Sequence, residues 1–560
     1  MADEYDIQQS LLEQDEEFLM QNRQYTWIPD SNGGSYAAGS QIVIDESPLA
    51  NSGKYFSAAN SFIQIPLVMT LQSVVGNLNN ITSENDFALS LKNGYHQLVH
   101  SMSVEISNNS VVSTTSYTNM HINYKLLTTM SVDDERNFGP SIGFVKDDAQ
   151  SLRYVSADSA YGLGEMNNTI VKSQFDPALG YNQSSSFANT GRLQRMQQST
   201  SYDPLMKTNE TIANVIASGK NYCQRDSIAA ATGVNTGSIV NHYITATLPL
   251  NILSDLFAKL PLVKGMYLKI VLNLNTNCSS STVLGEGKLY KSVTSSSQNN
   301  VIPFMISPCI STQGLNAVGA VACTSLQASI AVAKSSFSGT TYSHPTLSQV
   351  RLYASLCDLS PSCEQMYLSK MPTKQIKYND IMQFQLMNVA ANSSFSHILT
   401  NGVSRVRRLI GIPMISSLAN YAGATSFISP MASPFTSCPG TVSGQAITNF
   451  NVLLSGVNVF AQNLNYGFET FFQELRKANS INGGNSIGLS SGLLSQYDFE
   501  NAFRYLCVDL SRKSSEAVDN ISKSIQVIGT NSGSFAIDII FFVEFERQIE
   551  IDINTGSLIA

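Results

Sequence analysis

"NILSDLFAKLPLVKGMYLKIVLNLNT", residues 251–276, changes its period half-way along. Ile252, Leu253, Leu256, Phe257 and Leu260 recur at helical spacing, which predicts one face of a short helix. Pro261 ends that helix, because it lacks an amide hydrogen and its ring clashes with the preceding turn. From Met266 onward, Leu268, Ile270, Leu272 and Leu274 alternate with Tyr267, Lys269, Asn273 and Asn275. That two-residue period is a half-buried strand. A clipped helix wedged between strands is the feature any fold proposed for this chain must accommodate.

At 560 residues the chain is too long for one core and should hold two or more domains. Hydrophobic residues at 43% exclude a disordered protein. Charged residues reach only 13%, against about 25% in ordinary globular proteins. Ser, Asn, Thr and Gln fill the places charge would occupy. The resulting surface is polar but weakly self-repelling, which suits an exterior covered by copies of itself. A secreted β-protein is the ordinary alternative on composition.

The net charge of −8 is concentrated at the start. Residues 1–27 hold seven acids and one base, Arg23, leaving the remaining chain near neutral. No cluster of Lys and Arg is built for phosphate, so direct nucleic-acid binding is not expected. "SRVRRL" (404–409) sets Arg405 and Arg407 on one side of a strand, which reads as a solvated face. The first residues lack a basic n-region and an apolar core, so no signal peptide is expected. No apolar run reaches the ~18 residues of a spanning helix. Eight scattered cysteines without a C-x-x-C pair predict free thiols.

Along the chain, residues 6–24 read as a helix with a narrow apolar stripe, Ile7, Leu11, Leu12, Phe18 and Leu19, on an acidic cylinder. "WIPDSNGGSY" (27–36) reads as a turn-rich tether. Segments 61–74, 96–107 and 119–131 carry strand composition. Segments 155–240 and 277–345 are polar and Ser/Asn-rich and read as long loops. At 349–386 a strand through Leu352 and Ala354 runs into a brief helix at 361–369, and "MPTK" precedes a new strand near Gln375. A second helical interruption follows at 463–484. The last strand places Ile537, Ile539, Phe541, Val543 and Phe545 inward, with Asp538, Glu544 and Glu546 outward. The order of themes repeats weakly, which divides the chain into two β-domains meeting near residue 365.

Catalytic signals fail on inspection. "GLSSG" (488–492) matches the G-x-S-x-G elbow, but no His follows His397, so Ser490 lacks a base in the required order. His96 and His100 are spaced as in a zinc protease, yet Gln97 stands where its Glu belongs. No phosphate loop and no G-x-G-x-x-G is present. The chain therefore reads as no enzyme, with no catalytic, cofactor or metal residues and no cofactor.

Taken together, the stretches resemble the double jelly-roll major capsid proteins of virophages and polinton-like viruses. "LPLNILSDLFAKLPLVKGMYLKIVLNLN" is similar to the helix-bearing link between two late strands of the first jelly roll. "VRLYASLCDLSPSCEQMYLSKM" is similar to the connection between the two jelly rolls, and "LLTTMSVDDERNFGPSIGF" (126–144) and "SPF" (433–435) also fit. The resemblance implies an all-β fold of two tandem antiparallel jelly-roll β-sandwiches with short helical insertions and an N-terminal helical arm. The expected division is 1–34 for arm and tether, 35–365 for the first jelly roll with its long loops, and 366–560 for the second. It further implies a homotrimeric capsomer of an icosahedral virion, assembled inside the infected cell. Its partners would be neighbouring capsomers and penton and minor capsid proteins. Within that frame Leu253, Leu256, Phe257 and Leu260, stopped by Pro261, are expected to plug the first jelly roll. The stripe Ile7, Leu11, Leu12, Phe18 and Leu19 is expected to seat in a groove of a neighbouring protein. The rival reading is a secreted β-sandwich adhesin or carbohydrate-binding protein.

Overall fold

The computed structural model describes residues 20–36, 41–46, 50–75, 89–146, 224–228, 239–276, 279–285, 288–292, 302–306, 325–337, 340–370, 372–416, 447–481, 491–501, 503–513, 519–533 and 536–559. Before residue 360 they form β1 (Met20–Pro29), β2 (Gln41–Asp45), β3 (Tyr55–Val75), β4 (Leu89–Leu91), β5 (Val99–Ile106), β6 (Asn109–Val112), β7 (Gln224–Ile228) and β8 (Ile239–Pro249). There follow β9 (Leu268–Leu274), β10 (Ser279–Gly285), β11 (Lys288–Ser292), β12 (Phe304–Ile306), β13 (Ser325–Val332), β14 (Lys334–Phe337), β15 (Thr340–Ser343) and β16 (Arg351–Leu359). After the helix Pro361–Lys370 come β17 (Thr373–Val389), β18 (Ser393–Val403), β19 (Val406–Ile415), β20 (Ile447–Leu454) and β21 (Val457–Asn458). The chain continues with β22 (Leu506–Asp509), β23 (Lys523–Asn531), β24 (Ile537–Asp552) and β25 (Leu558–Ile559).

The pairings wrap each half in the same way, and every pairing is antiparallel. In the first half β1 pairs with β16, β16 with β3 and β3 with β8, while the second sheet runs β2-β9-β5-β6. In the second half one sheet runs β17-β24-β19-β22 and the other β18-β23-β20-β21. In the first half β1 pairs with β16 and β2, inside them in the chain, with β9; in the second half β17 pairs with β24 and β18, inside them, with β23. That nested closure is a jelly roll, and it occurs twice. No sheet among the described residues draws strands from both halves.

Alternation explains the layers. β9 is buried at every second residue from Leu268 to Leu274, and β23 at every second residue from Lys523 to Asn531. Ile63, Ile65, Leu67, Leu352 and Ala354 close over Ile42, Ile44, Val104, Ile270 and Leu272 in one continuous apolar core. Each of these Ile, Leu and Val side chains contributes about 1.5–3 kcal/mol when fully buried. The join was legible: β16, the helix Pro361–Lys370 and β17 follow in the expected order, and the helix Phe468–Ile481 fills the second interruption.

Several expectations are corrected. Residues 119–131 form the helix Thr118–Thr129 rather than a strand. Their buried residues, including Asn119, Ile122, Asn123, Leu126 and Leu127, recur at three and four, so helical period overrides strand composition. Residues 20–24 do not continue a helix, and Trp27–Pro29 are not tether: all belong to β1, an exposed edge strand needing little apolar sequence. β1 thus belongs to the sheet of the first half, through its pairing with β16. Segment 277–345 is not loop throughout, because β13 within it pairs with β3, residue 325 to residue 332. β24 is buried on both faces from Ile537 to Glu544, so Asp538 and Glu544 do not point to solvent. The arm residues Ile7, Leu11, Leu12, Phe18 and Leu19 lie outside the described residues, as do Ser490 and residues 433–435.

Candidate functional site: the seam between the jelly rolls

The expected helix over 252–260 is two short turns, Leu250–Leu253 and Asp255–Lys259, in the link from β8 to β9. Ser254 is extended between them and caps the second turn by accepting from the Leu256 amide. Leu253, Leu256, Phe257 and Leu260 are buried, and Pro261 follows half-buried. The turns pack against β3 of the first jelly roll and β17 of the second. Asp255 sits 2.8 Å from Lys259 and accepts from the Asn379 amide at 3.0 Å. This segment thus lies where the two halves meet.

The helix Thr118–Thr129 occupies the middle of the same seam. Its inner face is polar: Asn93 donates to Asn123 at 2.8 Å, and Asn119 donates to Gln97 at 3.0 Å. His96 lies 3.3 Å from Asn123 and 2.8 Å from Gln97, so it belongs to this network and not to a pair with His100. Across the seam Asn123 donates to the Tyr505 hydroxyl at 3.3 Å, and the Tyr124 and Tyr505 rings meet edge to face at 5.2 Å. Leu493 donates its amide to the Leu127 carbonyl at 2.8 Å. Gly492 permits that approach, since a Cβ there would lie 2.5 Å from the Leu127 carbonyl oxygen and φ is +71°.

Charge is concentrated where the halves touch. Glu544 on β24 lies 2.9 Å from His121 of the helix and 3.3 Å from Arg408 on β19. The His121 ring also packs on Phe542 at 5.5 Å. Burial raises the Glu544 pKa, but Arg408 and the His121 hydrogen bond outweigh it and hold the carboxyl at about 2. Asp380 accepts from Arg547 at 3.0 Å and from the Ser113 amide at 3.3 Å, while Arg547 donates to the Ser110 carbonyl at 3.0 Å. Thr115 donates to the Ile381 carbonyl at 2.9 Å, and Tyr378 donates to the Val111 carbonyl. Lys146 reaches across to Asp498 at 2.6 Å. Between these contacts remains a cleft of about 150 Å³, lined among others by His121, Lys125, Asp255, Asp380, Arg408 and Glu544.

The arrangement joins surfaces. Hydrogen-bonded, paired charges at a desolvated contact fix register, because a misaligned partner would leave a buried charge unpaired. Among the described residues no group of three or more His, Cys, Asp or Glu could hold a metal, and no helix is long and apolar enough to cross a membrane. Sequence reading missed His121, Arg408, Glu544, Asp380 and Arg547. The available signal was charge inside apolar strands, as in "FFVEFER" (541–547). Arg405 and Arg407 are paired at the surface: Arg407 lies 3.1 Å from Asp519 and 3.0 Å from Glu546, and Arg405 donates to Asn520 at 2.7 Å.

No family model matches the chain, and no curated protein matches it. Solved structures do. Similarity to the Sputnik virophage structure covers 96% of this chain and 88% of that one at 12% identity and a TM-score of 0.49. For the mavirus major capsid protein the figures are 96%, 89%, 11% and 0.43, and for the Faustovirus major capsid protein 96%, 93%, 10% and 0.40. The chain is a tandem of two jelly rolls, similar over 96% of its length to the major capsid proteins of mavirus and Faustovirus.

Proposed function

We propose that this chain is a major capsid protein, a non-enzymatic subunit that trimerises into capsomers of pseudo-hexagonal outline tiling an icosahedral shell. The observation that carries the reading is the repeated jelly-roll closure, with both halves locked through one buried seam. Three such rigid two-sandwich blocks about a threefold axis present six similar sandwiches, which is the outline a hexagonal lattice needs. The charge-poor surface, 13% charged overall, lowers the repulsion such close packing would otherwise meet.

In this reading residues 20–365 and 366–560 are the two building domains. The parts of 155–240 and 277–345 outside β7, β8 and the β10–β15 strands supply the outer tower and contact neighbouring subunits. The buried turns with Leu253, Leu256, Phe257 and Leu260 plug the first jelly roll against the second. The acidic arm, residues 1–19, locks capsomers together or engages penton and minor capsid proteins. Negative-stain microscopy of the purified chain tests the reading. Hexagonal trimers are the expected result, and monodisperse monomers would overturn it.

A further inference from the structure

The outer face of β1 and its neighbours carries an aromatic row, exposed at Tyr25 and Trp27 and half-buried at Tyr353 and Phe62. Tyr25 is 59% exposed and Trp27, the chain's single tryptophan, is 48% exposed. Register places Trp27 beside Tyr353 and Tyr353 beside Phe62, so the rings share one face. Phe62 stacks on Tyr353 at 5.0 Å, and Tyr25 tilts against Phe62 at 5.7 Å. Arg351 lies over the Trp27 ring at 4.3 Å, with its Nε buried and without a hydrogen-bond partner. Neither Arg351 nor Arg23 has a carboxylate partner among the described residues. The outer edge of β1 has no partner strand among them either. Large exposed rings beside cations on an open sheet edge are the composition of a docking surface.

We propose that this face receives residues 1–19 of a neighbouring copy, which deepens the capsid reading above and rests on it. Charge favours that occupant: residues 1–19 hold seven acids and no base, and their apolar stripe Ile7, Leu11, Leu12, Phe18 and Leu19 offers the counterpart to the rings. Connectivity favours a neighbour over the chain's own arm. The stripe runs to Leu19 and β1 begins at Met20, which leaves no residues for a reversal without sacrificing Phe18 and Leu19.

The single tryptophan makes the test direct. Acrylamide quenching of Trp27 and oligomer mass are measured on the same samples of the full chain, across a concentration series, alongside the full-length double variant Leu11→Asp, Leu12→Asp. The expected result is a several-fold drop in quenching as wild-type capsomers associate, with no drop in the double variant. A second arm uses Arg351→Glu, expected to weaken association between capsomers and to be rescued by Glu16→Lys with Glu17→Lys. Capsomers that associate while Trp27 stays fully quenched would overturn the docking surface and leave the capsid reading standing. Protection of Trp27 in dilute, unassociated chain would assign the face to the chain's own arm and overturn the neighbour. Failure of the wild type to self-associate at any concentration would overturn both.

Discussion

Glu544 shows how much one residue holds in this fold. Its carboxyl is held at about 2, against its usual 4.5, by Arg408 and His121. The unfolded chain therefore takes up that proton first as pH falls. The stabilisation, about 3 kcal/mol, is fully present above 4.5 and is lost as pH falls towards 2. His344 acts in a higher window. Burial lowers its pKa from 6.5 to about 4, and its neutral Nδ1 accepts from the Leu347 amide at 3.2 Å. Its contribution is present above 6.5 and is lost as pH falls towards 4. Denaturation monitored from neutral pH downward should show both declines, with His344→Gln reducing the upper one and Glu544→Gln the lower. Glu544→Gln should also cost about 3–5 kcal/mol near neutral pH, because Arg408 is left buried and uncompensated. Urea midpoints unchanged in that variant would contradict the seam. Phe257, fully buried between β3 and β17, should cost about 3–5 kcal/mol as Phe257→Ala, read as a lowered melting temperature.

At the scale of elements, β9 and the β16–helix–β17 join were legible because a single period and a proline or polar break define them locally. The helix Thr118–Thr129 was not. What makes it a helix is the burial of Asn119 and Asn123 against Gln97, Asn93 and Tyr505, partners as much as 382 residues away. The outward reading of Asp538 and Glu544 failed for the same reason: strand alternation finds two faces but not that a second jelly roll covers the outer one. β1 was hidden by its exposure, with only Ile28 of its ten residues buried. It still closes the first sheet through its pairing with β16. Truncation should separate arm from strand. Removing residues 1–19 should leave the melting temperature unchanged while preventing particle formation, whereas removing residues 1–27 should also destabilise the first jelly roll. Equal melting temperatures for the two truncations would show that β1 is dispensable to the sheet.

For the whole molecule, the repeat of one closure in two halves is the dominant fact, and the seam turns two sandwiches into one block. The turns 250–259, the helix Thr118–Thr129, the ion pairs of Glu544 and Asp380 and the Lys146–Asp498 pair all cross or line that contact. Independent domains joined by a linker would not need charges this deeply paired. The most direct measurement is a three-dimensional cryo-electron microscopy reconstruction of the purified oligomer, made of chains of 60.8 kDa each. Three chains with six upright sandwiches around a threefold axis, and both halves of each chain in contact through β24 and the helix Thr118–Thr129, is the predicted result. A monomer, or an oligomer whose two halves are separated at that contact, would contradict it.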